Sequence, residues 1–189
     1  CFPYVVLALY NSANQYEYFF KILNSVMYVN RIQKSVLAEK IKQFFQHDLA
    51  GKTVAIWGLA FKPNTDDIRE APALYIIDEL LEAGASIQAY DPEAMDNVRE
   101  LYGDRITLVD SLYEALEGAD ILAIITEWSV FRQPDFDKIK EMLSRKAIFD
   151  GRNLYNLDTI EKLGFYYESI GRNPVNRHLV MSNGKAVNS

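Results

Sequence analysis

Cysteine is almost missing from this sequence. The only one among 189 residues is Cys1. One cysteine cannot build an internal disulfide framework, and that scarcity fits a reducing compartment. Histidine is nearly as scarce. His47 and His178 are far apart in sequence and lack metal-ligand spacing to a partner, so no metal is expected. No apolar run approaches the roughly 20 residues of a membrane span. No secretory signal peptide appears, and a cytoplasmic protein without membrane contact is expected. Positive charge is in deficit, with a formal net charge of -6. This gives no support for general nucleic-acid binding, but it leaves room for one local cationic pocket. Glycine and proline are absent altogether from Tyr4 to Ala50.

What is present is the composition of a chain that buries a core. Hydrophobic residues make up 49% and charged residues 24%, which is ordinary for a soluble protein. The length suits one domain plus an extension. The segment free of glycine and proline reads as helix. Ile22, Val26, Val29, Ile32, Val36 and Phe44 fall near one face, with Leu37 and Ile41 beside it. Asn11-Ser12-Ala13-Asn14 marks the expected break, leaving a short helix and then one of roughly thirty residues, against a typical length of ~11. One small domain cannot cover so long an apolar face. A second subunit is expected to cover it between Tyr16 and Gln46, the alternative being another part of a longer chain. Gly51 is the expected helix stop.

From there the pattern alternates between strands and helices. Thr53–Trp57, Ser86–Tyr90, 106–109, 121–125, 147–149 and 165–167 read as strands. A helix opens at Pro72, burying Leu74, Ile77 and Leu81 and ending at Gly84. Short helices are expected through Leu116, capped by Asp110 or Ser111, through Leu143, started by Asp135 or Asp137, and over 157–163. Such alternation predicts an α/β fold, a Rossmann-like doubly wound parallel sheet of about six strands preceded by a long helix. There is no internal repeat. Asn173 to Ser189 is polar without a clear period and reads as a mobile tail.

The most informative stretch runs from Lys52 to Leu74. An apolar run ends in Gly58, a polar loop follows, and Pro72 starts a helix. In open α/β sheets ligands bind beyond the carboxyl ends of the strands, and this loop sits there carrying Lys62 and Arg69, two cations suited to phosphate. Solvated charges, or for Arg69 an ion pair with Asp66, Asp67 or Glu70, are the alternative. The loop is not G-x-G-x-x-G, so the dinucleotide fingerprint is absent. Asp91 ends the second strand, 33 positions after Gly58 rather than the ~20 of the fingerprint, and a turn role with Pro92 is favoured. In Thr126-Glu127-Trp128 the glutamate can face the crevice, while its neighbours pack and cap.

Gly58-x-Ala60-Phe61-Lys62-x-x-Thr65-x-Asp67-x-Arg69 resembles the opening of the C-terminal domain of the nucleotide-sugar dehydrogenases, the UDP-glucose/GDP-mannose dehydrogenase family. Cys1-Phe2-Pro3, Tyr90-Asp91-Pro92, Thr126-Glu127-Trp128 and Phe149-Asp150-Gly151-Arg152-Asn153 resemble it too, in the same order. The last two are most similar to the UDP-glucose 6-dehydrogenases. The resemblance runs from Cys1 to about Arg172. It implies that residues 1–50 are the end of a central helical dimerisation domain and 51–172 a UDP-binding domain, with 173–189 left as tail. The chain lacks an initiator methionine and starts within a motif, so it reads as a fragment.

The resemblance also implies chemistry. Cys1 matches the cysteine that captures an aldehyde and passes through a thioester as UDP-glucose becomes UDP-glucuronate with two NAD. A cysteine at a helix N-terminus is favoured as thiolate. Phe61, Lys62 and Arg152 match residues that hold the UDP-sugar. Arg69 matches the arginine that touches NAD, a cofactor held mainly by an N-terminal domain outside this chain. A homodimer through the long helix is implied. One departure stands out: Tyr4 and Val5 occupy positions where the family carries Lys and Asp. A nucleotide-binding and assembly module without catalysis is therefore one alternative, and a dehydrogenase for another nucleotide sugar is a second. The chain alone is expected to be inactive.

Overall fold

The computed structural model describes residues 21–181, together with Ala8, Leu9 and Ser12. It opens with one long helix, α1 (Lys21–Phe44). The strands are β1 (Thr53–Trp57), β2 (Ser86–Tyr90), β3 (Thr107–Leu108), β4 (Ile121–Ile124), β5 (Ala147–Asp150) and β6 (Tyr166–Ser169). All pair in parallel in one sheet of order β3-β2-β1-β4-β5-β6. This is the doubly wound order, with its switch point between β1 and β4. Every residue of β4 and β5 is buried, and all of β1 after Thr53. That is why these strands read as unbroken apolar runs.

The remaining helices are α2 (Pro72–Glu82), α3 (Met95–Tyr102), α4 (Phe136–Met142), α5 (Leu157–Lys162) and α6 (His178–Met181). Proline occupies the first turn of α2, where its missing N–H costs nothing. Asp135 caps α4 by accepting the Lys138 amide, and Asn156 caps α5 by accepting that of Thr159. Ser111 accepts the Glu114 amide at the 3₁₀ turn ending at Leu116. The helix α3 is not expected from the sequence. It is short and polar, and only Val98 and Tyr102, one turn apart, are buried.

Several expectations are corrected. The buried face of α2 is Ala73, Ile76, Ile77 and Leu80, while Leu74 and Leu81 are half-buried at its margin. Helix α1 ends at Phe44 rather than at Gly51. Gln46 and His47 take left-handed backbone at φ 55° and 61°, and the His47 amide donates back to the Lys42 carbonyl. The buried side of α1 is Leu37, Ala38, Ile41 and Phe44, whereas Ile22, Val26, Val29 and Ile32 are exposed. At 100° per residue these two sets lie roughly a quarter turn apart, so the apolar positions form two stripes, not one. The break near Asn11 and the sites at Cys1, Tyr4 and Val5 lie outside the described residues, although Ser12 itself is helical. The stretch from Asn173 packs back on the sheet over its described part. Val175 bridges Tyr167 in antiparallel sense, and the Asn176 side chain donates to the carbonyls of Glu161 and Phe165.

The C-terminal half of α1 is anchored against α2 and β5. Phe44 meets Phe149 edge-on at 5.4 Å and lies 5.0 Å from the Tyr166 ring. Full burial of a side chain such as Leu37, Ile41 or Phe44 contributes about 1.5–3 kcal/mol. Three ion pairs add direction: Lys34 with Glu70, Lys40 with Glu168 at 2.6 Å and Lys42 with Glu79 at 2.8 Å. The N-terminal half has no such cover among the described residues.

Candidate functional site

The turn after β1 is set by a glycine that no other residue can replace without strain. Gly58 sits at φ 94°, and a Cβ there would lie 2.6 Å from the backbone nitrogen of Thr126. Thr126 in turn donates its hydroxyl to the Ala60 carbonyl at 2.6 Å. The ends of β1 and β4 are thereby pressed together at the switch point.

Asp91 organises this edge from β2. It is 1% exposed. One carboxylate oxygen accepts the amides of Leu59 (2.7 Å) and Ala60 (3.0 Å) and the Trp128 indole N–H (3.0 Å). The other accepts the amides of Glu93 and Ala94, each at 2.9 Å. The turn role is thus real but wider than the sequence reading. Both oxygens are committed to protein donors, so Asp91 has none to spare for a ribose. A second buried carboxylate, Asp150, shapes the loop after β5. It accepts the amides of Arg152 and Leu154 and the Tyr167 hydroxyl, each at 2.7 Å. Burial, with the Asp150 charge next, raises the Tyr167 phenol well above its ordinary range and keeps it a donor.

These anchors present Phe61, Lys62 and Arg152 on the wall of one cavity of about 540 Å³. Glu127, Ile125 and Gly151 complete its sheet side, and Asn30, Gln33, Lys34 and Leu37 close it from α1. Arg152 is fixed in place: its Nε–H donates to the Ile125 carbonyl at 2.8 Å and its Nη2 reaches the Phe61 carbonyl at 3.4 Å. Its Nε also lies 3.0 Å from Glu127 Oε2. Lys62 is exposed and, among the described residues, carries no ion pair. Lys34 is 9% exposed, paired with Glu70 and 4.2 Å from the centre of the Tyr75 ring. Hydrogen bonding to Lys34 holds the Glu70 carboxyl below its usual range.

Three of the cavity residues, Asn30, Gln33 and Lys34, are not singled out by the sequence reading. The available signal is the buried stripe of Leu37 and Ile41. Extended back along the helical period, it reaches Lys34 and Asn30.

Arg69 is not brought to this cavity. It lies on a separate surface depression with Asp66, Asp67, Ile68, Asn97, Glu100 and Leu101. Its guanidinium grips Asp67 with two hydrogen bonds of 2.8 Å, and this holds the Asp67 carboxyl down at about 2. His47 and His178 stay apart, and among the described residues no group of three or more His, Cys, Asp or Glu is placed to hold a metal. No described helix is long and apolar enough to cross a membrane.

A dinucleotide needs free backbone amides at this turn to cradle its pyrophosphate. Here the Leu59 and Ala60 amides are spent on Asp91 and that of Gly58 on the Tyr90 carbonyl. The first helix after β1 starts only at Pro72. The turn after β1 therefore does not fit NAD.

Fold and topology define a doubly wound α/β domain of the nucleotide-binding class, with a cavity lined by the loop after β1 and by the loops after β4 and β5. The chain belongs to the UDP-glucose/GDP-mannose dehydrogenase family: residues 55–157 match that family's UDP binding domain. It is 48% identical over 177 residues to UDP-glucose 6-dehydrogenase of Pseudomonas aeruginosa, covering 91% of this chain and 39% of that protein. It is 40% identical over 172 residues to UDP-glucose 6-dehydrogenase of Rhizobium meliloti, with the same coverage of 91% and 39%. A solved UDP-glucose dehydrogenase from Pyrobaculum islandicum superposes with a TM-score of 0.74 at 30% identity, over 89% of this chain and 36% of that one. The chain thus spans about two fifths of the length of the curated relatives it matches.

Proposed function

We propose that this chain is the UDP-sugar-binding and dimer-building part of a UDP-glucose 6-dehydrogenase. The whole enzyme is a cytoplasmic, NAD-dependent oxidoreductase taking UDP-glucose to UDP-glucuronate with two NAD, through Cys1. One observation carries the reading. Phe61, Lys62 and Arg152, three residues matched to the family's nucleotide-sugar contacts, line one cavity at the carboxyl edge of the sheet. There an ammonium and a guanidinium meet a diphosphate and Phe61 packs on a ring or ribose. Residues 51–172 are the UDP-binding unit and 1–50 belong to the dimer-building helical domain. The exposed stripe Ile22, Val26, Val29 and Ile32 supports a homodimer. NAD is assigned to another part of the full-length protein, since the turn after β1 does not fit it. Arg69 is the residue of this chain assigned to touch NAD.

Tyr4 and Val5 favour a second reading, a nucleotide-binding and assembly module without turnover. Val5 cannot activate water as Asp does, Tyr4 lacks the ammonium charge of Lys, and loss of a general base typically costs 10²–10⁴-fold.

Calorimetry with UDP tests the pocket. A charge-assisted hydrogen bond is worth about 1.5–3 kcal/mol, so Lys62→Ala and Arg152→Ala are each expected to weaken UDP by about tenfold or more. Unchanged affinity in both removes them from the site. Following NADH absorbance with UDP-glucose tests the rest. No turnover is expected from this chain alone, and turnover would overturn the assignment of NAD elsewhere. Full activity in a full-length protein carrying Val5 would discard the second reading.

A further inference from the structure

Among the described residues Glu127 is the one carboxylate lining the cavity, and the proposed ligand is an anion. A negative group facing a diphosphate is repulsive, so this carboxylate has to face an uncharged part of the ligand. Neither of its oxygens accepts a hydrogen bond from the described residues. Oε2 is buried without a donor. Its 3.0 Å approach to Arg152 Nε is an ion pair only, because the single hydrogen on that nitrogen points to the Ile125 carbonyl. About a third of the Glu127 side chain stays exposed, and with Oε2 buried that third belongs to the rest of the side chain. Oε2 is thus held by the Arg152 charge, and Oε1, without a partner among the described residues and not buried, is the acceptor open to the cavity.

A hydroxyl both gives and takes a hydrogen bond. A carboxylate receives its hydrogen, and a guanidinium donates to its oxygen. Arg152 stands beside Glu127 on the same wall, so the pair offers both halves of that contact. We infer that Glu127 is a specificity-determining residue that accepts the hydrogen of a sugar hydroxyl of a nucleoside diphosphate sugar, while Lys62 and Arg152 hold the diphosphate. This rests on the UDP-sugar reading of the cavity. The hydroxyl belongs either to the hexose or to the ribose, and the test separates them.

The experiment is calorimetry of wild type and Glu127→Gln with UDP-glucose, UDP and 2′-deoxy-UDP. Glutamine keeps the shape and removes the charge. Glutamine still accepts through its amide oxygen, so a charge-assisted bond becomes a neutral one, a change worth about fivefold in affinity. The expected result is that the wild-type preference for UDP-glucose over UDP, or for UDP over its deoxy form, falls by about fivefold in Glu127→Gln. The first outcome places the hexose at Glu127 and the second the ribose. Equal weakening toward all three ligands, or none, leaves both preferences at wild-type values and overturns the inference. An effect exerted only through Arg152 is caught by repeating the substitution in Arg152→Ala. A contact made by Glu127 itself still narrows the preference there, whereas a purely positional role leaves nothing further to lose, which also overturns it. Wild type that fails to bind UDP at all sinks the pocket reading itself and is recognisable as that.

Discussion

Replacing Asp91 by asparagine is the sharpest probe of how the edge of this sheet is built. The carboxylate accepts three N–H groups on one oxygen and two on the other, and is buried to 1% exposure. An asparagine of the same shape has one accepting oxygen. Its best orientation keeps Leu59, Ala60 and Trp128 satisfied and turns an NH₂ toward the amides of Glu93 and Ala94. Two donors then lose their acceptor. At about 1–3 kcal/mol for each buried donor left unsatisfied, the loss is about 2–4 kcal/mol for the pair, toward the lower figure because the Glu93 amide is part-exposed. For a chain of this size that lowers Tm by roughly 4–16 °C. Asp91→Ala strands all five donors and is expected to be worse. Asp150→Asn is the control. Its three donors include the Tyr167 hydroxyl, which can rotate to accept from the new amide, so one backbone donor is lost at about 1–3 kcal/mol. Urea denaturation of the three variants reads the order directly. Asp91→Asn within about 0.5 kcal/mol of wild type, the ordinary range for surface changes, would refute the reasoning. So would Asp150→Asn being the more damaging of the two.

Three further outcomes are expected. Gly58→Ala loses at least about 1–2 kcal/mol from the left-handed backbone alone and more from overlap with Thr126, so a melt unchanged from wild type contradicts the packing at the switch point. Asp67 titrates near 2 in carbon-detected NMR, below its ordinary 3.8, and returns toward the ordinary value in Arg69→Ala; because the folded pKa is the lower one, the support this pair gives is complete above about pH 4 and fades as pH falls through about 2, and a midpoint unmoved by the substitution rejects the pairing. Light scattering at tens of micromolar is expected to show a dimer that Ile22→Glu with Val29→Glu converts to monomer; a monomeric wild type removes the proposed role of the exposed stripe.

The strands were legible because each carries its own signal. The β1 and β2 expectations match residue for residue, since an apolar run between Lys52 and Gly58, and an alternating run between Gly84 and Asp91, leave little freedom. Helix boundaries and faces were less legible. Leu74 and Leu81 lie at the margin of α2 because its buried face is set by packing against α1 as well as the sheet, which periodicity does not encode. In α1 the sequence offers two apolar stripes, and which one meets the sheet depends on where Phe149 and Tyr166 stand across the fold. The cavity was legible where motif residues meet, at Phe61, Lys62 and Arg152. Its α1 wall was not, because Asn30, Gln33 and Lys34 look like any polar helix positions until the packing of Leu37 fixes the helix rotation.

The position of the cavity follows from what happens at Asp91. In a dinucleotide site the amides after the first strand face an empty cradle and a phosphate fills it. Here Leu59 and Ala60 face a carboxylate of the protein's own, which supplies the negative charge that the ligand would otherwise bring. That substitution makes the turn after β1 structural and closes it to phosphate. The same edge still carries two cationic side chains. Lys62 projects from the loop, and Arg152 is braced by the Ile125 and Phe61 carbonyls. The cations lining the cavity are side chains, Lys62 from the loop after β1 and Arg152 from the loop after β5, with α1 as the facing wall. Burial of Leu37, Ile41 and Phe44 holds that wall in place, and ion pairs from Lys34, Lys40 and Lys42 to Glu70, Glu168 and Glu79 add direction.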